Sequence, residues 1–108
     1  MYALNPLRPE IVKLVQLGSL PSEKERPPER ILQFEQLIRA ITRPVSNNEA
    51  RALVNLFGDD GCFGLASSLM HLIETAPDWP LKDCLTNTQN VWITELRNRA
   101  IRGGFTVV

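Results

Sequence analysis

Apolar residues recur along this chain at spacings of three and four, in stretches that proline and glycine interrupt. That period belongs to amphipathic helices. Ile11, Val12, Leu14, Val15 and Leu17 form the first pattern, opened by Pro6 and Pro9 and stopped by Gly18. Residues 18–27 are polar and turn-rich and read as a loop. Pro27 and Pro28 stand where a first helical turn tolerates proline. Behind them Ile31, Phe34, Leu37, Ile38 and Ile41 make the cleanest amphipathic stripe, with Pro44 just past its end.

Ser46 and Glu49 have the spacing of a capping box. The helix they start carries Ala50, Leu53, Val54 and Phe57, and Gly58 follows as its C′ residue. Asp59 or Asp60 is expected to cap the next helix, over residues 62–75. Its apolar arc is wide: Phe63, Leu65, Ala66, Leu69, Met70, Leu72 and Ile73. Such breadth implies a central helix with neighbours on several sides. Gly64, in its first turn, would permit close approach by one of them. Pro77 and Pro80 bracket a break, and a short helix over residues 81–85 follows. Asn87 or Thr88 then caps a last helix through Val91, Trp92, Leu96 and Ala100, stopped by Gly103 and Gly104. Residues 105–108 are β-prone but too few for a sheet. The short connection at residues 58–61 forces an antiparallel hairpin. The expected fold is all-α, one domain over residues 1–108. Five to six helices in antiparallel pairs would form a HEAT-like stack or an irregular helical bundle.

With 108 residues the chain is long enough for one core without staples. Its 44% hydrophobic and 22% charged content exclude disorder. Twelve basic and twelve acidic side chains leave no net charge, which argues against a nucleic-acid partner. The distribution is uneven. Residues 1–57 carry plus two, residues 58–95 minus five and residues 96–108 plus three. The minus-five stretch is either a solvated surface or an acidic face that attracts a basic partner. Arg97, Arg99 and Arg102 fit helix-dipole compensation as well as ligand binding. No stretch is long and apolar enough to span a bilayer, and residues 1–10 lack a signal-peptide h-region. A cytoplasmic protein with no membrane partner is expected.

Reagents for catalysis are scarce, with one histidine and two cysteines. Cys62 and His71, nine positions apart, fall on opposite sides of one helix at roughly 100° per residue. Ser67, His71 and Glu74 share a face, but consecutive helical turns do not give triad geometry. No zinc spacing, phosphate loop or calcium loop is present. No catalytic residue, metal or cofactor is therefore expected. Cys62 reads as a small core residue, and Trp92 also reads as core. Trp79, between Asp78 and Pro80, either plugs the end of the core or anchors an interface.

The segment 53–80 resembles a class of small helical bacterial proteins, the immunity proteins of polymorphic and contact-dependent toxin systems. The likeness rests on Phe57-Gly58-Asp59-Asp60, on Cys62-Phe63-Gly64-Leu65-Ala66, on His71-Leu72-Ile73-Glu74-Thr75-Ala76-Pro77 and on Trp79-Pro80. It covers about a quarter of the chain, and its motif is structural. It implies a protein that binds a cognate toxin and neutralises it by stoichiometric occlusion. Added to the charge pattern, it places partner binding on Asp59, Asp60, His71, Glu74, Asp78 and Trp79, facing a basic toxin surface. The alternative is a helical adaptor or scaffold domain of another bacterial complex.

Overall fold

A computed structural model of the chain describes residues 7–26, 28–58 and 60–105. Five α-helices and one 3-10 turn lie among them, with no strand. They are α1 (Pro9–Leu17), α2 (Glu29–Ala40), α3 (Asn47–Val54), α4 (Leu65–Ile73) and α5 (Val91–Arg102), with the 3-10 turn at Lys82–Cys84 between α4 and α5. The expectations for Pro6, Pro27, Asp59 and residues 106–108 fall outside the described residues.

Local chemistry explains most boundaries. Pro9 sits at the first position of α1, where a missing N–H costs nothing. Gly18 ends that helix at φ 89°. Arg30 donates to the Leu17 and Ser19 carbonyls at 3.1 and 3.0 Å, supplying the acceptors at the α1 end with a partner. At α3 both halves of the capping box form: the Glu49 amide donates to Ser46 Oγ, and the Ser46 amide to Glu49 Oε1. The last helix is capped by Asn90, not by Asn87 or Thr88. Its Oδ1 accepts from the Trp92 and Ile93 amides. Asn87 instead closes the turn before it, accepting from the Gln89 amide.

The central helix departs most from expectation. It begins at Leu65, not at residue 62. Cys62 and Phe63 adopt positive φ, 46° and 54°, and Gly64 caps the helix at φ 87°. Gly64 thus serves its backbone conformation, because a Cβ there would meet no neighbour. Gly58 is the glycine that permits close approach: a Cβ there would collide with the Leu20 carbonyl oxygen. Phe57 lies beyond the end of α3, yet it is buried. The link from α3 to α4 is consequently ten residues, 55–64, and is long enough to carry structure of its own.

Helix α1 packs on α2, and α3 on α4. The two hairpins then stack, α1 on α3 and α2 on α4, with α5 added against α4. Equivalent helices of successive pairs in contact define a two-layer stack, and the least extent of the molecule, 20 Å, matches two helix diameters. Ile11, Leu14, Phe34, Leu53, Leu69, Ile73, Leu85 and Leu96 are the large side chains shut from water at its centre. Six of the nine α4 residues are buried, as a central helix requires. Val12 and Val15, counted above with the apolar face of α1, are exposed.

One end of the stack gathers the start of α1, the end of α2, the start of α3 and the end of α4. Glu49 holds it together. The carboxylate is 4% exposed and accepts four hydrogen bonds. Two come from the Arg8 side chain (2.9 and 3.1 Å), one from the Arg8 amide (3.1 Å) and one from the Ser46 amide (2.9 Å). Arg8 also donates to the carbonyl and hydroxyl of Thr42, at 2.8 and 2.9 Å. Close by, the Val45 amide donates to Thr75 Oγ1, and Asn47 and Asp78 exchange two hydrogen bonds.

Burial pushes the Glu49 carboxyl up, but the donors from Arg8 and Ser46 outweigh it and hold the group at about 2, against an ordinary 4.5. A depressed carboxyl contributes stability that is complete above pH 4.5 and is lost as pH falls toward 2. Glu49→Gln should cost about 2–4 kcal/mol at neutral pH, because it breaks a buried pair. The Arg8 side chain, 33% exposed, can rehydrate, which favours the lower part of that range. Urea unfolding at neutral and acid pH checks both points. The wild type should lose more stability than Glu49→Gln on acidification.

Candidate functional site

The other end of the stack gathers the end of α1, the start of α2, the end of α3 and the start of α4. Two loops meet there, residues 18–28 and 55–64, and they are fastened in sequence order. The Leu20 amide donates to the Leu56 carbonyl at 2.7 Å, beside the tight passage at Gly58. Asp60 Oδ2 accepts from the Ser22 hydroxyl (3.0 Å) and the Glu23 amide (3.1 Å), while its Oδ1 accepts from the Cys62 amide (2.9 Å). Glu23 Oε2 in turn accepts from the Phe63 amide at 2.7 Å. The Glu23 amide, foremost among these donors, holds the Asp60 carboxyl below its ordinary value. Asp60 is therefore a clasp between loops, not the cap of α4.

The clasp sets the direction of two side chains. Cys62 turns inward and is completely buried, and burial raises its thiol above the ordinary value. Phe63 turns outward and is 66% exposed, the most exposed of the large hydrophobic residues described. A bulky residue at φ 54° is an uncommon and costly conformation. Three consecutive positive-φ residues, all within hydrogen-bonded turns, hold it there. Phe63 borders a groove of about 440 Å³ between α2 and the start of α4, whose other apolar walls are Pro28, Ile31, Leu32 and Leu65. Leu32 is itself 52% exposed.

The residues expected to bind a partner divide between the two ends, separated by α4, which is about 13–14 Å long at about 1.5 Å per residue. Asp60 is in the clasp. Glu74 pairs with Arg99 through two contacts, 2.5 and 2.8 Å. Asp78 pairs with Asn47 at the far end. Trp79 is partly buried against the core, which favours its reading as a plug. His71 is exposed on α4 together with Ser67, so the polar stripe of that helix does face water. Asp59 lies outside the described residues.

Three of the six acidic residues in the minus-five stretch are paired with arginines. Asp83 pairs with Arg51 at 3.0 Å and Glu95 with Arg102 at 3.0 Å, besides Glu74 with Arg99. Trp92 is only partly buried. Its ring lies against Gly61, and its Nε1 is enclosed without a hydrogen-bond partner. Among the described residues no group of three His, Cys, Asp or Glu side chains could hold a metal ion, and no helix is long and apolar enough to cross a membrane.

Sequence reasoning assigned Phe63 to the buried arc of α4 and so missed it as a surface feature. A readable signal was present. Asp60 precedes Gly61-Cys62-Phe63-Gly64, and an aspartate followed by glycine-flanked residues favours turns over a helix start. Comparison with known proteins found no match to a family model, to a curated protein or to a solved structure.

Asparagine adopts positive φ far more readily than phenylalanine or a β-branched residue. Phe63→Asn should raise stability by about 1 kcal/mol, and Phe63→Val should lower it by about as much. Thermal unfolding followed by circular dichroism gives the sign of each. Two shifts of the same sign would mean that backbone strain at this position is not what Phe63 costs.

Proposed function

We propose that this chain is a bacterial immunity protein, which binds a cognate toxin in the cytoplasm and neutralises it by stoichiometric occlusion. The reading rests on the resemblance of segment 53–80 and on what that segment contains. Its most distinctive run, Gly58 to Gly64 in the sequence, places a large apolar side chain in water on costly backbone. A fold keeps such a conformation where its surroundings over-determine it, and strain of this kind clusters at ligand clamps and switch regions. Apolar anchors of this sort carry a large share of protein–protein binding energy.

Phe63, with Leu32 beside it, is the centre of the proposed contact. The acidic residues take a supporting place. Asp60 holds the binding loop in shape, and Glu74 braces α5 on α4 through Arg99. His71, exposed on α4, can contribute to a rim, whereas Asp78 lies with Asn47 at the far end. Charge reversal at Asp60 or Glu74 would break these internal contacts before it reported on a partner, so neither is a clean probe.

Phe63→Asn is the cleaner test, because it removes the anchor while relieving strain. The candidate toxin encoded beside this gene in its native genome is expressed with and without the protein, and cell survival is counted. Wild type should protect, and Phe63→Asn should weaken toxin binding about 10- to 100-fold in calorimetry without unfolding the protein. Equal killing with and without wild type would sink the immunity reading. Binding without protection would favour the adaptor.

A further inference from the structure

The groove beside Phe63 is apolar in its walls and electrically asymmetric at its rim. Two charged residues border it, Arg26 and Glu35. Glu35 is answered by Arg39, one turn along α2, at 2.7 Å. Arg26 is not answered by a carboxylate among the described residues. Its Nη1 donates to the Glu23 and Glu25 carbonyls, at 3.2 and 2.8 Å, which anchors the guanidinium against its own loop. The acidic side chains of its own loop are engaged elsewhere: Glu25 with Arg30 at 2.7 Å, and Glu23 with the Phe63 amide. Glu29 is exposed on α2 but does not line the groove. Among the described residues the rim therefore presents one cation without a carboxylate partner, held in place beside an apolar slot.

A volume of about 440 Å³ falls within the usual range for small-ligand pockets, about 300–1,000 Å³, and is ample for one large side chain. A planar guanidinium favours a two-pronged hydrogen bond with a carboxylate. We infer that the groove docks a polypeptide segment of a partner protein. That segment inserts one aliphatic or aromatic side chain between Phe63 and Leu32 and sets a neighbouring carboxylate on Arg26. This deepens the binding reading above and rests on it for the identity of the partner. The contact segment of that partner is apolar and acidic, whatever the charge of the rest of its surface.

Three small probes of one shape separate the contributions: 4-phenylbutyrate, its neutral amide and 4-phenylbutylamine. Each is titrated into the full chain labelled with nitrogen-15, and amide shifts are followed. The carboxylate should bind with millimolar affinity and move resonances of residues 28–35 and 60–65. The amide should bind about fivefold more weakly, as an exposed ion pair allows, and the amine more weakly still. Arg26→Gln should equalise carboxylate and amide, and Phe63→Asn should abolish all three responses. The inference is overturned by an amine that binds as well as the carboxylate, by a preference that survives Arg26→Gln, or by shifts that map elsewhere or are absent. The immunity reading fails separately. Probe binding with the expected preference, in a protein that gives no protection, overturns immunity and leaves the groove chemistry standing. Protection lost in Phe63→Asn without a carboxylate preference does the reverse.

Discussion

Two short hairpins stack as layers with no strand among the described residues, and side chains tie their ends together. The Glu49 carboxylate is the strongest of these ties. It is the one charged residue buried among those described, and burying a charge is tolerable only when its acceptors are filled. Four donors fill them, and they come from the start of α1 and the start of α3. Arg8 extends the network to the end of α2 through Thr42. The capping box that starts α3 and the ion pair that docks α1 are thus one cluster, and neither can be removed without exposing the other.

Asp60 performs a comparable task at the opposite end, with weaker means. It is only partly buried and pairs with amides and a hydroxyl, not with a guanidinium. What it stabilises is less compact: a ten-residue connection whose final residues adopt positive φ before α4 begins. The core is satisfied by Cys62 turning inward, and the cost is Phe63 turned outward. Stability gathers where Glu49 sits, while the exposed apolar surface sits at the other end. Separation of that kind lets a surface loop be strained without loosening the core.

The charge pattern carries a related lesson. Residues 58–95 look acidic along the chain, but Glu74 and Asp83 meet arginines from other elements, Arg99 and Arg51, and Glu95 meets Arg102 within α5. The plus-three terminus supplies two of those arginines, Arg99 and Arg102. Three of the six acidic residues of that stretch are therefore paired with arginines, two of the pairs at the surface. Among the described residues, the charge left without a carboxylate partner at an apolar site is instead positive, on Arg26, in a stretch that reads in sequence only as a polar loop.

Local order was legible because its causes are local. The three–four spacing of Ile31, Phe34 and Ile38, Pro9 at a helix start and the Ser46–Glu49 box depend on residues a turn or two apart, and all formed as read. The breadth of the apolar arc on α4 foretold its central position for the same reason. The site was not legible, because its causes lie far apart in the chain. Arg8 reaches Glu49 across 41 positions, and Glu23 reaches Phe63 across 40. Whether Phe63 joins a helical arc or faces water depends on whether its amide bonds within a helix or to that distant carboxylate. Periodicity cannot encode that choice. The sequence by itself determined the helices and most of the buried side of α2, α3 and α4. Tertiary structure alone decided which carboxylates became clasps, which charges were cancelled, and which apolar side chain was left facing solvent.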